Sequence, residues 1–261
     1  MRWSWSYNHA SPGAGWKHVP MNAIDQSERR PGRRAQSWRV RIGESLKSTR
    51  PFIAAELLLI FLPFALRALG LIRNPSLLLF LIGWLSLWLR KLGWTGVGLR
   101  RLANWWRTIL LGIAIGLAYD AVDVLAILPM LHRLTGQPVQ LEPYGQLRSN
   151  PGAVLLLLIL AWVFGAFIEE MGYRGYALNR IADLCGGSRT AFVLSATVIS
   201  VLFGFAHLSQ GVAGVLDNVL AGAFFAVLYL AAGKNLWLPI IVHGVVDTTS
   251  VVLLYLGFAP K

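Results

Sequence analysis

From about residue 51 onward the chain is a succession of long apolar runs broken by short polar stretches. A helix needs about 20 apolar residues to cross a hydrocarbon layer about 30 Å thick. Seven such runs are predicted, at about 51–72, 74–90, 108–131, 153–184, 190–208, 212–232 and 236–258. The second is short for a spanning helix, which leaves six open, and eight if one run holds two helices. The predicted fold class is all-α, a polytopic transmembrane helical bundle. Between the second and third runs, residues 92–107 mix Trp94, Trp105 and Trp106 with Arg100 and Arg101. That mixture predicts a helix lying in the cytoplasmic headgroup layer.

Composition sharpens this picture. Hydrophobic residues make up 56% of the chain and charged residues 14%, against about 25% charged in a soluble domain. No soluble domain fits after residue 50, so residues 51–261 read as one transmembrane helical domain. Residues 1–50 differ, with ten Lys/Arg against Asp25, Glu28 and Glu44. They are densest at Arg29, Arg30, Arg33 and Arg34. Such a segment reads as a basic, disordered arm attracted to anionic lipid headgroups, where Trp3, Trp5, Trp16 and Trp38 could dip into the interface. No fold or motif supports a nucleic-acid partner. No secretory signal pattern precedes the first span, which is expected to act as an uncleaved anchor. The single cysteine, Cys185, excludes an internal disulfide and a cysteine-only metal site.

Basic residues set the expected orientation. A cytoplasmic N-terminus places nineteen of the 24 Lys/Arg inside, in the arm, residues 90–107, residues 174–189 and Lys234. Arg73, Arg133, Arg148 and Lys261 fall outside. The expected location is the bacterial plasma membrane, as a multi-pass protein.

Ionisable groups inside spans are costly and therefore functional candidates. Glu56, Arg67, Asp120, Asp123 and Asp217 are of this kind, and could pair, snorkel or line the bundle interior. The fourth span carries a denser signal, Phe167-Ile168-Glu169-Glu170-Met171-Gly172-Tyr173-Arg174. Glu170 and Arg174 share a helix face at i,i+4 and can form an ion pair. Glu169 points elsewhere and lacks a partner on its own helix. Beside a neutralised neighbour in a low-dielectric site, it is placed to act as a general base. It could equally pair with a basic group on another helix.

Two further motifs follow. The fifth span ends Phe203-Gly204-Phe205-Ala206-His207, and Glu169 and His207 each lie 19 residues from Ser188. An antiparallel hairpin about Ser188 would bring both to a similar depth, about 28 Å from the turn. In the seventh span His243 and Asp247 share a face at i,i+4, with Gly244 allowing close approach. His243 lies early in its span and His207 late in its own, so equal depth requires tilt or an inward loop at residues 209–214.

Glu169-Glu170…Arg174, Phe203…His207 and His243…Asp247, in this order within apolar helices, resemble the CPBP family of CAAX proteases and bacteriocin-processing proteins. The resemblance covers about residues 150–258. It implies an intramembrane endopeptidase acting on a peptide or protein substrate at the membrane. Glu169 with His207 would activate water, His243 and Asp247 would stabilise the oxyanion, and Glu170 with Arg174 would support the site. Prenylated CAAX proteins are not the expected substrate of a prokaryotic chain.

Asp247 stands where Asn is commoner. A carboxylate donates no hydrogen bond unless protonated, so Asp247 must be neutral, orient His243 or bind a metal. A zinc site of Glu169, His207, His243 and Asp247 is possible, but a cofactor-free site is favoured. There is no His-Glu-x-x-His signature, and four protein ligands would leave no open position for water. A non-catalytic protein for bacteriocin self-immunity or scaffolding is the alternative. A transporter is disfavoured because no inverted repeats or broken helices are visible.

Overall fold

Each apolar run becomes a helix because a backbone in lipid must satisfy its own hydrogen bonds. The computed structural model of the chain describes residues 50–141, 147 and 150–258. The basic arm, apart from the backbone of Arg50, lies outside them, as do Arg148 and Lys261.

Helix α1 spans Arg50–Ala68 and α2 Ser76–Leu89. Helix α3 runs from Trp105 to Val122, then through a wide π-type turn at Asp123–Ile127 into Leu128–Thr135. The wide turn precedes Pro129, which has no N–H to complete the ladder. Helix α4 is continuous from Pro151 to Leu184, with π-type turns over Ala161–Leu178. Helices α5 (Arg189–Ala206), α6 (Gly211–Ala231) and α7 (Trp237–Leu256) complete the bundle. Polar side chains mark several starts. Asn104 accepts from Arg107 N, Asn150 from Ala153 N and Ser188 from Ala191 N, each capping a helix.

Among the described residues six helices are long and apolar enough to cross a membrane. Only 11–39% of each span's most apolar window is buried inside the protein. Leu58, Leu125 and Val227 are 73%, 78% and 64% exposed, so lipid must cover these faces. The second apolar run forms α2, whose 14 residues extend only about 21 Å. The helix expected along residues 92–107 does not form. A short 3-10 turn at Trp94–Val97 is followed by irregular chain up to α3. Gly93, Gly96 and Gly98 interrupt the stretch, and Gly98 adopts φ +122°, outside helical space.

Helix α4 is the central element, and Ile168–Leu178 is buried without interruption. It packs against α2, α5 and α7. Small residues permit the close approach, as in other membrane bundles. A Cβ on Gly83 of α2 would lie 2.7–2.9 Å from the Tyr176 ring and its Cβ. A second anchor is ionic. The buried Glu56 of α1 accepts from Ser86 of α2, from Tyr176 Oη at 3.0 Å and from Arg180 Nε at 2.7 Å. Arg90 Nη2 lies 3.8 Å away. Glu56 thus binds α1, α2 and α4 together. Gly83→Ala should therefore cost about 1–3 kcal/mol of stability through overpacking. Gly96→Ala, where nothing lies within 4 Å of a Cβ, should cost far less; thermal unfolding of both variants measures the difference.

Candidate active site

The fourth span's two carboxylates lie in different surroundings. Glu170 is fully buried, and its Oε1 accepts from Arg174 Nη1 at 2.8 Å and from His243 Nδ1 at 2.9 Å. A carboxylate can only accept, so Nδ1 of His243 carries the hydrogen. Glu170 Oε2 has no partner among the described residues. Arg174, also fully buried, donates from Nη2 to Gly222 O at 3.1 Å. Its guanidinium lies 4.6 Å from the Phe203 ring centroid and 5.2 Å from that of Phe225. Such aromatic faces attract a desolvated cation. Arg174, counted with the cytoplasmic loop in the sequence, thus belongs to the bundle interior.

Glu169, 5% exposed, forms no ion pair among the described residues. Its Oε1 accepts from Ser76 Oγ at 2.8 Å, and that hydroxyl lies 3.4 Å from Tyr173 Oη. Ser76 opens α2, where its N–H is taken by Asn74 Oδ1 at 2.7 Å, leaving the hydroxyl free to reach across. The sequence reading missed Ser76. Its only trace is the Asn74-Pro75-Ser76 start of an apolar run.

His243 is 5% exposed and faces inward. Its ring stacks on Phe225 at 4.6 Å and meets Phe203 edge-on at 6.1 Å. Nε2 lies 3.7 Å from Asp247 Oδ1, too long for a hydrogen bond. Glu170, rather than Asp247, therefore orients this imidazole. Asp247 is packed against α4, where a Cβ on Gly165 would approach Oδ2 to 2.5 Å. Both glutamates are near enough to act electrostatically on His243 and Asp247.

His207 is half-buried at the end of α5, on the other side of Phe203, with ring centroids 5.0 Å apart. Its Nδ1 lies 2.9 Å from Phe203 O. A carbonyl only accepts, so Nδ1 donates and Nε2 is left as an acceptor. Among the described residues no hydrogen bond joins His207 to Glu169.

Helix depth explains how these groups meet. Ser195 Oγ donates to Leu178 O at 2.6 Å and fixes the α4–α5 register. Glu170 and Phe203 each lie eight residues from that contact, so they are level. The α6–α7 turn sits deeper than the α4–α5 turn. Tyr229 at its edge bonds Asn179 Nδ2 and Val97 O, and Leu236 N donates to Gly98 O. Helix α7 therefore starts about one to two turns nearer the site, and His243 reaches Glu170 only six residues into it.

The remaining acids of the spans lie apart. Asp123 and Asp217 lie near each other and near Tyr119. Asp120 is buried near Thr249 on the α7 side. The four candidate zinc ligands Glu169, His207, His243 and Asp247 are not drawn together as a set. Among the described residues no three His, Cys, Asp or Glu side chains are grouped to hold a metal ion.

Residues 151–249 match the family model described as type II CAAX prenyl endopeptidase Rce1-like. The chain has no match among curated proteins and none among solved structures. Glu170→Gln should lower stability by about 3–5 kcal/mol, because Arg174 would be left buried without its counter-ion. Thermal unfolding of the purified variant checks this.

Proposed function

From the Rce1-like CAAX protease domain at residues 151–249, we propose that this protein is an intramembrane endopeptidase using a glutamate-activated water. The observation that carries the reading is the asymmetry of the two carboxylates. Glu170 is committed to Arg174 and His243, whereas Glu169 is held by a hydroxyl and remains available as a base. A water beside Glu169 gives it a proton as its oxygen bonds the peptide carbonyl carbon. His207 Nε2, an acceptor, helps hold that water. The carbonyl electron pair moves to oxygen, where His243 in its doubly protonated form donates from Nε2. Glu169 then passes its proton to the amide nitrogen as the C–N bond breaks. Asp247 faces the same Nε2 from one helical turn away. No step requires a metal.

Glu169→Gln keeps the shape and the Ser76 contact but removes the base. Cleavage of a peptide library by the variant should fall by about 10²–10⁴-fold with thermal stability retained; full activity would sink the assignment. Chelation should leave wild-type turnover unchanged, whereas loss on chelation with rescue by zinc would overturn the metal-free mechanism.

We read the end of the bundle that gathers Arg90, Arg100 and Lys234 as cytoplasmic, by the excess of basic residues there. Cys185 lies in the α4–α5 turn at this end and is exposed. In intact cells a membrane-impermeant maleimide should leave this sole cysteine unlabelled. In inverted vesicles the same reagent should label it. Labelling from outside would reverse the orientation.

A further inference from the structure

We propose that the bundle end remote from Ser76 binds one anionic phospholipid, its phosphate in a basic cavity and an acyl chain in the adjoining tryptophan groove. The cavity has a volume of about 290 Å³, and Arg90, Arg100, Arg180 and Lys234 all line it. Arg90 and Arg180, 6% and 4% exposed, are held on Glu56. Arg100 Nη2 donates to Gly233 O at 2.5 Å. Lys234 Nζ rests 3.5 Å over the Phe192 ring.

Among the described residues, four cations meet one acid on the cavity wall, Asp183, and one behind it, Glu56. Burial holds the Lys234 ammonium below its ordinary value; Asp183 opposes this and Arg100 adds to it. A partly buried cluster of cations is stabilised further when an anion enters it.

The second observation identifies the anion's carrier. A groove of about 470 Å³ lies alongside, lined by Trp84, Leu87, Trp88, Lys91 and Trp94, and it shares Leu92 with the cavity. Trp84 and Trp88 are 54% and 41% exposed, and such residues mark the headgroup level of a bilayer. A free phosphate would use the cavity and leave the groove unused. A neutral hydrocarbon would do the reverse. An anionic phospholipid uses both, at the depth where its phosphate already lies. This inference is independent of the proteolytic reading, because its readout is binding.

The full chain, purified in mild detergent, is exchanged with dioleoyl phosphatidylglycerol, dioleoyl phosphatidylcholine or inorganic phosphate. Retention is followed by native mass spectrometry, and tryptophan quenching by the brominated-chain forms of the two lipids. One phosphatidylglycerol per protein should be retained, with stronger quenching than by phosphatidylcholine. Arg100→Gln with Lys234→Gln spares the Glu56 network and should weaken retention about 10- to 30-fold while the lipid-free protein still unfolds cooperatively. Trp84→Leu with Trp88→Leu should weaken it as well. Equal retention of both lipids would overturn the proposal. So would stabilisation by phosphate alone that matches phosphatidylglycerol, which would make this a soluble-anion site.

Discussion

A charge taken out of water must be met by an opposite charge and by hydrogen bonds, and the rest of this bundle is arranged around that requirement. Glu170 and Arg174 have no solvent exposure, and neither could stay ionised there alone. Their partners come from other helices. His243 of α7 reaches the carboxylate, and Gly222 of α6 supplies a carbonyl to the guanidinium. Phe203 of α5 and Phe225 of α6 provide the aromatic faces. One ion pair therefore fixes the mutual positions of α4, α5, α6 and α7. Glu169, next in the chain, takes its hydrogen bond from a hydroxyl, Ser76 Oγ, instead of joining that pair.

The same logic repeats toward the far end of α4. There Glu56 gathers Arg90, Arg180, Ser86 and Tyr176 and joins α1 and α2 to the same central helix. Helix α4 thus carries an ionic anchor at each of two levels, with buried residues between them. Its wide turns through this stretch are of the kind often found where a helix carries function. Rigid side chains at one level and a polar vestibule at the other are two uses of one structural element.

Much of this was legible in the chain. Spans could be located because lipid demands long apolar runs, and the Glu170–Arg174 contact because four residues separate partners on one helix face. The contact between Glu170 and His243 was not legible. It depends on how deep α7 begins, which the Tyr229, Asn179 and Leu236 contacts set and no periodicity reveals. For the same reason the sequence offered an orienting role for Asp247 as one of three alternatives and did not point to Glu170. Ser76 was missed because a lone serine in an apolar run carries no local signal. The helix expected at residues 92–107 failed on its glycines, whose weight was underestimated beside the tryptophans and arginines.

The shortness of α2 has a consequence for where water can go. At about 21 Å this helix falls well short of a hydrocarbon layer about 30 Å thick, and a mismatched segment draws the bilayer surface toward its ends. One of those ends is Ser76, whose hydroxyl rests on Glu169. Thinning at that end would bring the headgroup layer and its water closer to Glu169, and turnover of the proposed protease would then follow the thickness of the surrounding bilayer.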